Sequence, residues 1–239
     1  MADLIRTRNG GITTLTLNRP DKRNSLSYGL VEELLHCVLE AHDDDTHLLV
    51  LRGKGKNFSA GFDFTDYETQ TAGDLLRRFV RVETLLQKVE YAPFTTVALV
   101  HGDNFGAGVD LVVACTNRIA DPAATCKLPG LAFGLVLGTR RLAARTSQHW
   151  AHSVLGGALT VEALDACTAG LFTALARMDE WEEHVERAAA STRNLGIAAT
   201  ADLHRALSID SRDADMADLV RSAAAPGLID RIHRFREGV

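Results

Sequence analysis

Twice in its first half the chain leaves an apolar strand through a turn of small residues and heads toward a helix. The first passage joins the strand His47 to Arg52 and a Gly/Lys turn, Gly53 to Lys56, to Asn57-Phe58-Ser59-Ala60-Gly61-Phe62-Asp63. The second runs Val97-Ala98-Leu99-Val100-His101-Gly102-Asp103-Asn104-Phe105-Gly106-Ala107-Gly108 and opens into the apolar stretch Val109 to Ala114. Small residues let a backbone approach a ligand closely, and glycine takes the positive φ that other residues resist. A helix starting at Gly106 to Gly108 also offers unpaired N–H groups at its positive dipole end. Either junction alone reads equally well as tight packing. Together, and in this order, they can aim two backbone N–H groups at one point, which is how an oxyanion is held.

The flanking segments set the fold class. Leu4 to Arg8 and Ile12 to Leu17 are two β-like runs around Asn9-Gly10-Gly11, a hairpin signal. A polar loop, Asn18 to Asn24, leads to Ser27 as N-cap of a helix ending near Ala41. A second helix is expected from Asp74, with Leu75, Leu76, Phe79, Val82, Leu85, Leu86 and Val89 on its apolar face, and Pro93 before a strand from Thr95 to His101. Short strands near Arg118 to Ala120 and Thr125 to Leu128 follow, and the sequence from Thr139 onward reads as helices broken at Gly156-Gly157, Gly170, Gly196 and Pro226. Strands alternating with helices through residue 128, then helices only, predict an α/β spiral core with a helical tail.

With 239 residues the chain fits one α/β domain or a core with a small appendage. A net charge of −5 gives no electrostatic footprint for nucleic acid or an anionic membrane, although Lys22-Arg23 and Lys54 to Lys56 are local basic clusters suited to a phosphate-bearing ligand. Cys37, Cys115, Cys126 and Cys167 have no metal-ligand spacing and read as small buried hydrophobes. The histidines form no HExxH pattern, so no metal is expected, and His101 reads as hydrogen-bonded structure. Ser59 lacks the Gly-x-Ser-x-Gly frame of a hydrolase nucleophile, and no dinucleotide or Walker signature is present. No apolar run reaches the roughly 18–20 residues of a membrane span. The opening Met-Ala-Asp-Leu-Ile-Arg lacks a basic-then-apolar leader, so a cytoplasmic enzyme is expected.

The two junctions in their order, the stretch Thr14 to Leu26 with its Arg19-Pro20 and Asn24-Ser25-Leu26, and Arg118-Ile119-Ala120 followed by Leu128-Pro129 resemble the crotonase superfamily, the enoyl-CoA hydratase/isomerase family. The resemblance implies a crotonase-like spiral of β-β-α units over residues 1–190 and a C-terminal helical trimerisation region over 191–239, with trimers or dimers of trimers. It implies an acyl-CoA substrate, coenzyme A being part of the substrate rather than a separate cofactor. The thioester oxygen would lie between the N–H groups of Ala60 and Ala107, with Asp110 as general acid/base. Substrate contacts would come from Lys22, Arg23, Ser25 and Leu26, from Ala60, Gly61, Phe62 and Asp63, and from Gly106, Ala107 and Gly130. Relatives that hydrate enoyl thioesters use two glutamates. Here Asp110 stands at the first position and Gly130, which has no side chain, at the second. One carboxylate suffices to move a proton between two carbons, so isomerase-type chemistry is expected over efficient hydration. The rival is a non-catalytic acyl-CoA-binding member, and Asp110 itself has a competing role as a charge at a helix N-terminus. Asp63, Asp66 and Tyr67 read chiefly as capping or solvent-facing residues.

Overall fold

A computed structural model describes residues 2–238, so Met1 and Val239, the outer ends of the expected 1–190 and 191–239 division, lie outside the described residues. β1 (Leu4–Asn9) and β2 (Ile12–Leu17) form the expected antiparallel hairpin, turned by Gly10 and Gly11 at φ +56° and +79°. The Ser27 hydroxyl accepts from the Leu30 N–H and starts α1 (Tyr28–Asp43). The chain continues through β3 (Leu48–Gly53), α2 (Ala72–Glu90), β4 (Thr95–Val100), β5 (Asp103–Phe105), α3 (Ala107–Ala114), β6 (Asn117–Ala120) and β7 (Thr125–Lys127). After these come α4 (Thr139–Arg145), α5 (Gln148–Gly157), β8 (Thr160–Glu162), α6 (Ala163–Ala169), β9 (Ala174–Leu175), α7 (Trp181–Leu195), α8 (Ile197–Leu207), α9 (Arg212–Ala223) and α10 (Leu228–Glu237).

The large sheet has the order β1-β2-β3-β4-β6-β9, parallel from β2 onward. A three-stranded sheet, β5-β7-β8, stands beside it. β3 and β4 are buried almost throughout, as strands covered on both faces must be. Because successive side chains point to opposite faces, Leu49, Leu51, Ala98 and Val100 pack with α1, α2 and α3 in the main core. Leu48, Val50, Val97 and Leu99 form a second core with Trp181, Val185 and Ala189 of α7.

Two expectations need correction. Residues after 128 are not helices only: β8 pairs antiparallel with β7, and β9 pairs parallel with β6. Strands of three and two residues are too short to establish an alternating pattern. The second helix starts at Ala72 rather than Asp74, because Thr71 is its N-cap and Asp74 closes a capping box on it.

The last two helices fold back on their own chain. Leu219 and Ala223 of α9 and Leu228 and Ile232 of α10 belong to the same core as α1 to α3. Beneath them Arg141 of α4 is buried among carboxylates. It donates to Glu83 at 3.0 Å and to Glu90, and Asp215 of α9 lies 3.7 Å away. Burial of the guanidinium is offset by these carboxylates, which hold Arg141 charged.

Candidate active site

Both junctions sit beyond the carboxyl ends of β3 and β4, the place where parallel sheets present ligand-binding loops. Buried asparagines bolt the turns together. The Asn24 amide donates to Lys54 O and Asn57 O, each at 2.9 Å, and Asn57 donates to Arg23 O. Asn104 joins the two junctions: its side-chain oxygen accepts from the Ser59 N–H at 3.1 Å, and its NH2 donates to the carbonyls of His101, Gly102 and Thr125. The Phe105 N–H completes the link by donating to Ser59 O. The Ser59 hydroxyl donates to Asn24 O and accepts from the Gly61 N–H, so its oxygen is committed to the turn.

The expected first donor, Ala60, is corrected by these bonds. Its N–H donates to Arg23 O at 2.8 Å and is unavailable to a ligand. Gly61, at φ +79°, then swings the chain so that the next N–H, that of Phe62, finds no acceptor among the described residues. The second junction repeats the device. Gly106 takes φ +45°, and Ala107, the first residue of α3, has a free N–H as helix starts do. Ala107 itself is not in the left-handed region, so its methyl adds no strain. The turns touch: a Cβ on Gly61 would lie 2.3 Å from Phe105 O and 3.2 Å from Ala107 N, and one on Gly108 would lie 2.7 Å from Ser59 O.

Phe62 and Ala107 both line a cavity of about 190 Å³ that reaches from the junctions to α5 and α10. Among the described residues its only polar side chains are Asp110 and Thr139. Asp110, in the first turn of α3, is 4% exposed and accepts no hydrogen bond from any described residue. Burial pushes its carboxyl well above the usual carboxylate range; the charge of Arg141 opposes this and that of Glu83 adds to it. Gly138, at φ +64°, makes room for it, since a Cβ there would lie 2.1 Å from Asp110 Oδ1. Gly130 lies in the same wall, at the start of a short 3-10 turn, and a Cβ added to it would meet only Leu135 O at 3.2 Å.

A polar groove of about 810 Å³ adjoins the cavity and shares Ala60, Phe62 and Phe64 with it. Lys22, Arg23, Ser25 and Asp63 line one side of the groove, and His233 and Arg236 of α10 line the other. The family model described as Enoyl-CoA hydratase/isomerase matches residues 7–225. The chain belongs to the enoyl-CoA hydratase/isomerase family. It has the crotonase fold. The crystal structure of a Bordetella parapertussis protein that carries the name enoyl-CoA hydratase/isomerase is 48% identical, covers 98% of each chain and superposes with a TM-score of 0.97. A protein of Mycobacterium bovis named probable enoyl-CoA hydratase is 31% identical over 184 residues, 74% of each chain. Enoyl-CoA hydratase domain-containing protein 3, mitochondrial, of Danio rerio is 32% identical over 136 residues, and the match spans 56% of this chain and about half (47%) of that protein.

On this enoyl-CoA hydratase/isomerase scaffold the residues expected from sequence divide. Ala107, Asp110, Gly106, Gly130, Ala60 and Phe62 meet at the cavity, and Lys22, Arg23, Ser25 and Asp63 at the groove. Leu26 and Gly61 line neither. Leu26 is 1% exposed in the core, and the two pair through the Leu26 N–H to Gly61 O bond. Asp63 is committed to structure: burial alone would raise its carboxyl, but hydrogen bonds from Thr65 and the Arg19 guanidinium at 2.8 Å hold it well below the usual range. Tyr67 bonds His233 through its hydroxyl, and Asp66 lines the groove. His101 plays the structural part expected of it, its Nε2–H donating to Gly55 O at 2.9 Å. Cys115 and Cys126 are buried, and burial pushes both thiols up to about 12. No described helix is long and apolar enough to cross a membrane. The sequence reading missed Phe62 as a free donor, Gly138 as the seat of Asp110, and α10 as a wall.

Proposed function

We propose that the chain acts on acyl-CoA thioesters, holding the thioester oxygen between the N–H groups of Phe62 and Ala107 and moving a proton with Asp110. One observation carries this reading: among the described residues, the lone carboxylate of an apolar cavity lines it together with two N–H groups that have no acceptor. Removing a proton from the carbon beside a thioester carbonyl puts negative charge on the oxygen, and fixed donors are worth most where water is excluded.

With Gly130 at the second carboxylate position, the reading favours chemistry that one carboxylate completes. In isomerisation of a 3-enoyl thioester, ionised Asp110 takes a proton from the carbon next to the carbonyl. The C–H electron pair becomes part of a dienolate whose oxygen accepts from the two donors. The neutral acid then returns that proton to the far carbon, which yields the conjugated 2-enoyl thioester and restores the carboxylate. Neither water nor a second base enters. Burial that raises Asp110 also makes it a stronger base toward carbon once ionised.

The CoA portion would follow the groove past Lys22, Arg23 and Ser25, with no separate cofactor. A homotrimer or dimer of trimers in the cytoplasm completes the reading. It is supported by exposed apolar side chains from Leu195 to Ile209, of which Leu207 and Ile209 are 77% and 87% exposed.

The test is a comparison of 3-hexenoyl-CoA isomerisation with trans-2-hexenoyl-CoA hydration, in the wild type and in Asp110→Asn. Isomerisation should dominate and fall by roughly 10²–10⁴-fold in the variant, with acyl-CoA affinity little changed. Hydration as fast as isomerisation would remove the one-carboxylate reading. Binding of CoA thioesters without turnover of any would leave the non-catalytic alternative.

A further inference from the structure

The cavity is closed by the chain's own α10. Phe235 lines the cavity, while its neighbours His233 and Arg236 line the groove, so one turn of helix forms the partition between the two compartments. That turn is fixed from both sides. Arg231 donates to Phe133 O at 2.8 Å, to Gly134 O at 3.1 Å and to Ser222 O at 3.0 Å, which ties α10 to the loop after Gly130 and to α9. Arg236 stands over the rings of Phe64 and Tyr67, at 5.8 and 5.4 Å, and Tyr67 OH meets His233 Nδ1 at 3.0 Å. Phe235 packs on Phe133 at 5.1 Å between centroids, and Phe133 in turn meets Phe64 edge-on at 5.9 Å.

Six of the chain's nine phenylalanines face this one cavity, and among the described residues Asp110 and Thr139 are its only polar side chains, the Phe62 and Ala107 N–H groups being taken by the thioester oxygen. A hydroxyl or carboxylate on the far part of an acyl group would be buried there without a partner, which is costly. An apolar acyl group gains with every methylene it buries, roughly fourfold in affinity for each.

We infer that Phe235 is a specificity-determining residue: it sets the size limit of an apolar acyl group, and the cavity it closes rejects acyl groups with polar ends. This rests on the reading of the groove as a CoA site. Phe235 is half-buried and its ring packs on Phe133, so its removal enlarges the cavity without opening the core.

The experiment is calorimetric titration of the full chain and of Phe235→Ala and Phe235→Trp. The probes are free CoA, the even-numbered saturated acyl-CoAs from butanoyl to tetradecanoyl, and octanedioyl-CoA. Wild-type affinity should rise with acyl length and then stop rising. Phe235→Ala should move that break to a chain at least two carbons longer, and Phe235→Trp to a shorter one. Free CoA should bind all three alike, which shows that each variant is folded with an intact groove. Octanedioyl-CoA should bind the wild type at least tenfold more weakly than octanoyl-CoA. An unchanged break in both variants overturns the role of Phe235, and equal affinity for the two eight-carbon thioesters overturns the apolar class. If the wild type binds neither CoA nor any thioester, the reading of the groove fails as well.

Discussion

The two junctions perform the same backbone manoeuvre on different supports. In each, a glycine at positive φ precedes a residue whose N–H has no acceptor among the described residues: Gly61 before Phe62, and Gly106 before Ala107. Phe62 sits in a loop whose shape comes from side-chain amides, those of Asn24, Asn57 and Asn104. Ala107 starts a helix, so its free N–H follows from helix geometry alone. Each junction is followed by an aspartate, and the two have opposite environments. Asp63 is hydrogen-bonded and held low, whereas Asp110 has no hydrogen-bond partner among the described residues and is pushed high. An N–H held by loop contacts is therefore the more fragile half of the pair, and the aspartate with no described hydrogen-bond partner is the one on the sturdier half.

Glycine substitutions break this comparison most sharply. At Gly61 a Cβ meets backbone, 2.3 Å from Phe105 O, in addition to the strain of positive φ. Gly61→Ala should displace the Phe62 N–H and lower kcat/KM by roughly 10²–10³-fold, the usual cost of losing one such donor. At Gly106 the nearest atom is Pro129 Cδ at 4.0 Å, so Gly106→Ala carries backbone strain alone, of order 1–3 kcal/mol. Its kcat/KM should fall by much less. Equal losses in steady-state kinetics would show that the two supports do not differ.

Asn104→Ala removes the amide that ties the junctions together and leaves the Ser59 N–H without its acceptor, while His101 O and Gly102 O keep the N–H groups of Phe58 and Thr125. Denaturant unfolding should show a loss of about 1–3 kcal/mol or more, with Phe62-dependent activity falling alongside. Activity untouched at the same stability loss would mean that the loop keeps its shape without the bolt.

The aspartates sharpen the comparison through pH. Asp63 is lowered, so its stabilisation is present above the unfolded-state value and is lost as pH falls through the folded one. Asp110 is raised, so its contribution is present below the unfolded-state value and is lost as pH rises through the folded one. Melting scans should therefore show Asp63→Asn less stable than wild type at neutral pH, with the gap closing in strong acid. Asp110→Asn should gain on wild type as pH rises from 5 to 9. A pH-independent difference for Asp110→Asn would mean that its carboxyl titrates normally.

The smallest effect is expected from Ser59→Ala. It loses one hydroxyl donated to Asn24 O and one acceptor for the Gly61 N–H, about 1 kcal/mol by urea unfolding. Full loss of turnover in a stable Ser59→Ala protein would reopen the nucleophile question that its hydrogen bonds close.

Much of this was legible beforehand because it depends on local chemistry. Gly10-Gly11, the Ser27 cap, the β3 and β4 runs and both glycine junctions each impose their conformation over a few residues. The identity of the first donor was not legible, because which N–H faces outward depends on the φ of Gly61 and on a bond from Ala60 to Arg23, 37 positions away in sequence. The cavity wall was illegible for the same reason at longer range: Phe133 and Phe235 meet only after α10 has packed back across the fold. β8 and β9 are strands because β7 and β6 lie beside them, not because of their own composition.

The return of α9 and α10 to the core has a consequence for the order in which the protein comes into being on the ribosome. The sheet strands β1 to β4 and the two junctions are synthesised first, and domains fold as the chain emerges. Asp215, Leu228, Ile232 and Phe235 arrive later, yet they flank Arg141, fill the core and close the cavity. Until they are made, the nascent chain carries Phe64, Phe133 and their apolar neighbours facing water, a surface that chaperones recognise. Translation of the last two helices is thus the step that converts a sticky, half-walled sheet into a walled apolar cavity.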